Sequence, residues 1–343
     1  MKGIASSMVK TVVIRKRNII MHGIIILVLA VASIVLRTYL TDNSHNQDYI
    51  TYAQAARMIS YAQIDDCDAF SSDMEWYKPY MEYVNINGYM NAANPNSYVK
   101  YKDVSMLARR INADIDCFKS EGIESYIDIE NDNRPVKNDV FIRCFQNLCK
   151  YFKYGDEIEL KQMGVSGVPS DNVSEEWTYI YDGVIIQPYV DTTIEALVRQ
   201  NRLLCVVDKI SDDVKYRNVL LKTYENGYVT VNVYGMIKKY KVHKVEGFIE
   251  NSLADIDISN GKLKGIDIKD DKISGKVLSF NDSYIEIEGY GKVPADSNFM
   301  IYDITQGDKV SGYDSIIVGY SLEDFVVAQG KICGAVKGRK LVQ

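Results

Sequence analysis

The chain changes its pattern of apolar and polar positions twice, and each segment predicts a different structure. An almost unbroken apolar stretch runs from Ile19 to Leu36, residues 48–153 place apolar side chains at helical spacing, and the remainder alternates apolar with polar positions. Helical spacing has a period of 3.6 residues, whereas alternation is the period of a strand with one buried face. We predict an α+β multidomain protein with an N-terminal transmembrane helix, a helical region and antiparallel β modules that form small barrels or sandwiches.

The apolar stretch is long enough to be a membrane span. As a helix its 18 residues would reach ~27 Å, about the thickness of a bilayer core. Five basic residues and no acidic residue precede it, and Arg37 follows it. Because positive charge is retained on the cytoplasmic side, we predict a cytoplasmic tail at 1–18, a signal anchor at 19–40 and an extracellular location for the bulk of the chain.

A cleaved signal peptide is the alternative to an anchor. Residues 30–32 read Ala-Val-Ala, which is a small-residue cleavage sequence. Cleavage there would leave the apolar residues 34–36 near the new N-terminus. The uncleaved anchor is therefore the favoured interpretation.

The predicted helical region covers residues 41–153. Thr51 precedes a run of apolar residues at helical spacing, and Gln54 lies three positions later, which is the capping-box signature of a helix start. Apolar faces at the same spacing predict further helices at residues 76–84, 102–111 and 139–152.

A weak internal repeat runs through this region. Residues 49–55 align with residues 98–104, and residues 136–140 form a shorter echo. Each copy is an extended entry into a predicted helix. Repeats of this length indicate stacked supersecondary modules.

Beyond residue 153 the chain predicts two β modules, at 154–248 and 249–343. Turn dipeptides such as Asn226-Gly227 and Asn260-Gly261 separate alternating runs, as in hairpins. The clearest runs predict strands at residues 228–234, 276–280, 284–288 and 315–320.

Charge and cysteine content exclude two classes of function. Without its first forty residues the chain has 34 basic against 46 acidic residues, which is too acidic for a nucleic-acid-binding protein. The six cysteines form no CxxC pair and only two histidines lie beyond residue 40, so no zinc site is predicted. We expect mostly buried thiols and at most one disulfide.

Glu286 and Glu288 are the best-placed pair of carboxylates, about 7 Å apart on one face of a predicted strand. They alternate with isoleucines, so their face is the solvated one, whereas a general acid needs an apolar pocket. The sequence contains no nucleophile elbow, P-loop, dinucleotide fingerprint or HExxH motif. We predict that the protein is not an enzyme and has no catalytic, metal-binding or cofactor-binding residue.

Tyrosine is unusually frequent, with 26 residues in the chain. One aromatic cluster at helical spacing comprises Trp76, Tyr77, Tyr80 and Tyr83. Two interpretations stay open. Such a stripe packs in a helical core, or it forms a surface that stacks on glycan or a partner protein.

The helical region resembles a degenerate set of S-layer-homology modules. The resemblance is carried by WYKPYMEYV at 76–84, GYM at 88–90 and VKYKD at 99–103, in that family's helix-loop-helix order. The Ile-Thr-Arg-Ala-Glu type entry of the family is replaced by ITYAQ at 50–54 and VKYKD at 99–103, so its Arg and Glu are lost in both copies. The resemblance implies cell-wall glycan as a partner.

The β part resembles the region before the catalytic domain in clostridial proteins of the stage II sporulation protein D and amidase-enhancer (SpoIID/LytB) type. The matching segments are KISGKVL at 272–278, IEIEGYGK at 285–292 and DFVVA at 324–328. The resemblance implies a link to peptidoglycan remodelling and sporulation. The catalytic domain of that family would begin where this sequence stops, so no catalytic residue carries over.

We therefore predict a membrane-anchored, extracytoplasmic, non-catalytic scaffold or binding protein of a Gram-positive cell envelope. Its predicted partners are cell-wall glycan or envelope proteins, and the membrane through Ile19 to Leu36. One alternative is the regulatory front part of a SpoIID-type lytic transglycosylase that lacks its catalytic domain. Another is a signalling or assembly protein without affinity for glycan.

Overall fold

The computed structural model describes residues 48–70, 75–167, 179–319 and 321–338. The predicted tail and anchor lie outside these ranges. Among the described residues, no helix is both long enough and apolar enough to cross a membrane.

The helical region begins with the predicted capping box. Thr51 Oγ1 accepts a hydrogen bond from Gln54 N, and the Gln54 side chain accepts one from Thr51 N, so the start of the first helix is confirmed. The α-helices of this region are α1 Tyr52–Gln63, α2 Lys78–Ile86, α3 Tyr101–Arg110, α4 Tyr126–Glu130 and α5 Asn138–Leu148.

The three repeat entries meet in a closed ring of backbone hydrogen bonds. Ile50 N donates to Val136 O at 3.3 Å, Val136 N donates to Val99 O at 2.8 Å, and Val99 N donates to Ile50 O at 3.0 Å. All three side chains are buried. The predicted repeat is confirmed, because equivalent residues of three copies surround one approximate threefold axis.

A second set of three hydrogen bonds also joins equivalent residues of the three copies. In each copy, the first helical residue donates its N–H to a carbonyl of another copy. The acceptor lies two positions before that copy's member of the ring, which is Ile50, Val99 or Val136. The pairs are Tyr52 with Ser97 at 2.9 Å, Tyr101 with Arg134 at 3.2 Å, and Asn138 with Asp48 at 2.8 Å. Every helix entry in the ring is therefore tied to a neighbouring copy.

A three-stranded antiparallel sheet packs against the helical region. Leu197, Leu204 and Cys205 of this sheet belong to the same apolar core as the helices. The sheet has the order β1-β2-β3, with β1 Glu159–Gly164, β2 Thr193–Arg199 and β3 Arg202–Ser211.

The second sheet is five-stranded and antiparallel, and it curls into a small barrel. Its order is β6-β5-β4-β7-β8, and the outer strands β6 and β8 lie next to each other. Asn226-Gly227 and Asn260-Gly261 have positive φ at both residues, which confirms two of the predicted tight hairpins. The strands are β4 Asp213–Glu225, β5 Tyr228–Val233, β6 Met236–Lys241, β7 Leu253–Ser259 and β8 Lys262–Lys269.

The third sheet has the order β10-β9-β13-β14-β11-β12 and closes on itself, because β10 also pairs with β11. The pair β11–β14 is parallel, so the expectation of purely antiparallel modules is wrong at this point. The strands are β9 Lys272–Asn281, β10 Tyr284–Ile287, β11 Gly291–Asp303, β12 Lys309–Ser311, β13 Ser321–Ala328 and β14 Lys331–Lys337.

One predicted module boundary and one predicted strand differ from the structure. The module boundary at 248/249 falls between β6 and β7, which belong to one sheet; the sheets change at residues 211–213 and 269–272 instead. The strand predicted at 315–320 is wrong over its described part, residues 315–319. A 3₁₀ turn ends at Ser315 and an irregular segment follows, in which Ile317 and Val318 are exposed.

Polar contacts hold the first sheet to the barrel. Asp191 has a φ of 63° and precedes β2. Its carboxylate accepts hydrogen bonds from the hydroxyls of Tyr216 at 2.9 Å and Tyr240 at 3.1 Å, and it pairs with the Lys238 ammonium. The three partners lie on β4 and β6, so this carboxylate fixes the orientation of the two sheets.

Alkaline pH is expected to unfold the protein, because buried tyrosines must stay protonated in the fold. Burial raises the pKa of several phenols above the ordinary value of 10.0, among them Tyr52, Tyr80, Tyr216, Tyr240 and Tyr302. Unfolded phenols ionise above that value. Their stabilising contribution is therefore complete below about pH 10 and is lost as the pH rises, by roughly 1.4 kcal/mol per tyrosine and pH unit.

Urea unfolding at about pH 8 and about pH 11, followed by circular dichroism, measures this loss. The phenolate absorbance of the buried tyrosines should appear together with loss of the fold. Titration of all tyrosines near pH 10 in a protein that stays folded would contradict the expectation.

Candidate binding grooves at the repeat junctions

The four aromatic residues predicted as a glycan or partner surface do not share one exposed face. Tyr80 is buried, and its hydroxyl lies 2.5 Å from the hydroxyl of Tyr61. It belongs to the helical core, since its ring also packs edge-on against Tyr61. For Tyr80 the core interpretation of the stripe is therefore correct.

The other three members of the stripe are half-buried, and the Trp76 and Tyr77 rings pack edge-on against each other. Tyr83 packs against Phe70 and Tyr89, whereas the Tyr77 hydroxyl donates a hydrogen bond to Glu75 at 2.7 Å. Trp76 contacts a turn of the β part. Since α2 begins only at Lys78, Trp76 and Tyr77 precede the helix and do not extend its face.

Trp76 lies directly against Gly183. A Cβ atom at this glycine would be only 2.2 Å from the Trp76 ring, and the φ of Gly183 is 73°. Glycine is therefore required here for both the turn and the close approach. The same indole lines a cleft between the helical region and the first sheet.

This cleft, called the roofed cleft below, has a volume of about 400 Å³. Its floor is formed by the repeat entry at residues 49–51 and by α1, and its roof by residues 183–189 and β3. The Gln54 side chain donates a hydrogen bond to Gly183 O at 3.3 Å, which ties the roof to the floor.

A wider cavity, called the open groove below, has a volume of about 600 Å³ and lies on the helical region alone. Asparagine side chains dominate its lining, and Lys100 is the charged residue in it. The lining residues are Tyr52, Asn91, Ala93, Asn94, Asn96, Ser97, Tyr98, Lys100, Asn133 and Pro135.

The two cavities are related by the internal threefold. Both lie where one repeat entry meets the next helix, and residues at equivalent positions line them. The first sheet covers the junction that forms the roofed cleft and leaves the junction that forms the open groove uncovered. The equivalent lining residues, open groove first, are Tyr98 and Tyr49, Lys100 and Thr51, and Tyr52 and Asn138.

A buried carboxylate fixes the floor of the open groove. Asp103 Oδ2 accepts a hydrogen bond from the Tyr52 hydroxyl at 2.6 Å and one from Lys100 N at 2.9 Å. Burial and the neighbouring Asp103 raise the pKa of the Tyr52 phenol well above its usual range. Tyr52 is therefore a neutral donor locked toward Asp103, with its ring edge in the groove wall.

The residues considered for catalysis lie elsewhere. Glu286 accepts a hydrogen bond from Ser279 Oγ at 2.6 Å on the neighbouring strand, and Glu288 is exposed in the turn after β10. Neither carboxylate lines the roofed cleft or the open groove. Across the described ranges, no three His, Cys, Asp or Glu side chains are grouped to hold a metal ion.

The five cysteines whose side chains the structure describes are free thiols, at positions 67, 144, 149, 205 and 333. Burial raises the pKa of Cys149 and of Cys205 to about 12. Because the thiolate is the nucleophile, these two groups are unsuited to covalent chemistry near neutral pH.

Comparisons with protein-family models, with curated proteins and with solved structures gave no match. Function is therefore inferred from the two cavities. Sequence reasoning missed the asparagines of the open groove, although the segment MNAANPNS at 90–97 carries a visible signal. Three asparagines in a short loop between two predicted helices read as turn residues when no partner surface is known.

Proposed function

We propose that the protein is a membrane-anchored, extracytoplasmic, non-catalytic scaffold of the cell envelope that binds wall glycan in the open groove. The observation that carries the proposal is the ring of Ile50, Val99 and Val136, because it assembles three repeat entries around an amide-lined groove. An S-layer-homology-like arrangement of the repeats is part of the same proposal.

The chemistry of the groove suits a saccharide. An asparagine side chain both donates and accepts hydrogen bonds, as hydroxyl and acetamido groups do. Within the described ranges the side chains of Asn91 and Asn96 make no hydrogen bond, so they are free to bind a ligand. Tyr98 adds an aromatic ring to the same wall.

The proposed location rests on the N-terminal sequence. The apolar stretch from Ile19 to Leu36 follows five basic residues and is followed by an acidic chain. This arrangement orients the helical repeats next to the membrane on its outer side, where wall glycan is accessible. The strand position of Glu286 and the exposure of Glu288 support a role without catalysis.

Retention on purified wall sacculi tests the proposal. The full-length chain is taken from the membrane fraction of expressing cells, in mild detergent, and sedimented with sacculi. The double substitution Asn91→Ala/Asn133→Ala should reduce retention about tenfold, since each lost hydrogen bond is worth about 0.5–1.5 kcal/mol. Added salt should change retention little, because Lys100 is the groove's charged residue.

Asn201→Ala is the matched control, since Asn201 is exposed in the β2–β3 turn and lines neither cavity. Equal retention of the double variant and the wild type would refute binding in the open groove. Recovery of the chain outside the membrane fraction would refute the anchor.

A further inference from the structure

Among the residues that the structure describes, no charged side chain lines the roofed cleft, although 25% of the chain is charged. Its volume of about 400 Å³ lies in the range of small-molecule sites, about 300–1,000 Å³. A charged ligand would lose its hydration there without gaining a counter-charge from the lining. The cleft therefore selects an uncharged ligand.

Two amides supply the polar contacts of the cleft. Asn96 and Asn138 line it, and within the described ranges their side chains make no hydrogen bond. Thr51 and Gln54 also line it, but their side chains are engaged with each other in the capping box. A ligand thus meets two free amide groups in the lining, each a donor and an acceptor.

Apolar groups form the remaining walls. The Trp76 indole lines one side, Tyr189 lies in the roof, and Met58 is part of the floor. Ile185 is 36% exposed, which is unusual for an isoleucine beside a closed core. Aromatic faces pack on the C–H faces of a sugar ring, and aliphatic groups suit the methyl group of an acetamido substituent.

We propose that the roofed cleft is a second binding site, which takes a neutral, N-acetylated saccharide; this inference rests on the proposed glycan-binding function. The site exists only where the segment before β2 covers the helical repeats, because Gly183, Ile185 and Tyr189 of this segment supply its roof. Occupation of the cleft would bridge the two parts of the protein.

Fluorescence of Trp76 reports on the cleft directly. The chain contains two tryptophans, so the substitution Trp177→Phe leaves Trp76 as the single indole. The full-length Trp177→Phe protein is titrated in detergent with the tetramer of N-acetylglucosamine. We expect a saturable change in emission that is insensitive to added salt. The glucose tetramer, which lacks the acetamido groups, should bind about tenfold more weakly.

Ile185→Glu places a charge in the cleft wall at a position that is already partly exposed, so folding is preserved. The substitution should weaken binding of the N-acetylglucosamine tetramer about tenfold, because the new carboxylate must be desolvated when the ligand binds. Ile237→Glu is the matched control, since Ile237 is 59% exposed on β6 and outside the cleft. Its titration should equal that of the parent protein.

The proposal is overturned if the tetramer causes no saturable change, or if Ile185→Glu and the parent titrate alike. It is also overturned if tetra-alanine that is made uncharged by N-acetylation and C-amidation binds better than the sugar. Failure of the proposed function has a different signature. Asn91→Ala/Asn133→Ala would then leave sacculus retention unchanged while the Trp76 titration persists. Loss of the titration with intact retention refutes only the roofed cleft.

Discussion

Arg199→Met is expected to lower the free energy of unfolding by about 3–5 kcal/mol, because it leaves buried partners of a charged group unpaired. The Arg199 side chain is fully buried. Its Nη1 donates to Tyr61 O at 2.6 Å and to Ile64 O at 2.5 Å, and its Nη2 donates to Asp65 O at 3.2 Å. These carbonyls belong to the end of α1, where a helix has no internal donors left.

The same guanidinium is held on its other side by Glu157 and Tyr154. Nε and Nη2 donate to one Glu157 oxygen at 2.8 and 2.6 Å, and the group lies 4.7 Å from the centre of the Tyr154 ring. Arg199 lies at the end of β2, so one side chain joins the first sheet to the C-terminus of α1. A methionine fills the volume but satisfies none of these acceptors.

Urea unfolding of the variant and the parent measures the loss. Arg143→Met is the matched control, because Arg143 also forms ion pairs, with Glu121 and Asp139, but is 48% exposed. Exposed pairs contribute about 0–1 kcal/mol. If Arg199→Met lowers the free energy of unfolding no more than Arg143→Met does, the carbonyl groups at the helix end are hydrogen-bonded by water in the variant.

Lys269→Met is expected to cost about 3–5 kcal/mol as well, because it leaves the Asp255 carboxylate buried without its cation. Lys269 Nζ donates to Asp255 Oδ1 at 2.6 Å and to Asn218 Oδ1 at 2.5 Å. The Lys269 and Asp255 side chains are 9% and 14% exposed. Asn218 continues the network into the third sheet, since its Nδ2 donates to Asn298 O at 2.8 Å.

A double-mutant cycle separates the pair from its surroundings. Lys269→Met/Asp255→Leu should be more stable than Lys269→Met alone, since the unpaired charge is gone. The cycle on Lys215 and Asp257, an exposed pair at 3.5 Å between β4 and β7, serves as the control and should give a coupling below about 1 kcal/mol. Equal coupling energies in the two cycles would contradict the expected role of burial.

The sequence alone determined those features that depend on neighbours along the chain. The capping box of Thr51 and Gln54 closes within one helical turn, and the hairpin turns at residues 226–227 and 260–261 need only two residues that tolerate positive φ. The repeat was visible for a related reason, because each copy enters its helix through the same local pattern. Interactions of this range are encoded in a few adjacent residues.

Tertiary structure decided every feature that joins distant segments. Ile50, Val99 and Val136 meet although 49 and 37 residues separate them, and β11 pairs with β14 in parallel although alternation is the same for either direction. Residues 315–319 have a strand-like composition, yet they belong to no strand.

The candidate sites are among the features that tertiary structure decided. Trp76 was identified from its spacing with Tyr80, but one ring borders a cleft and the other lies in the core. Nothing in the local pattern distinguishes them, since the difference comes from Gly183 and the first sheet approaching over a hundred residues later in the sequence. The amides of the open groove likewise become a site only when three repeat entries close their ring, because a binding surface depends on which backbones meet around it.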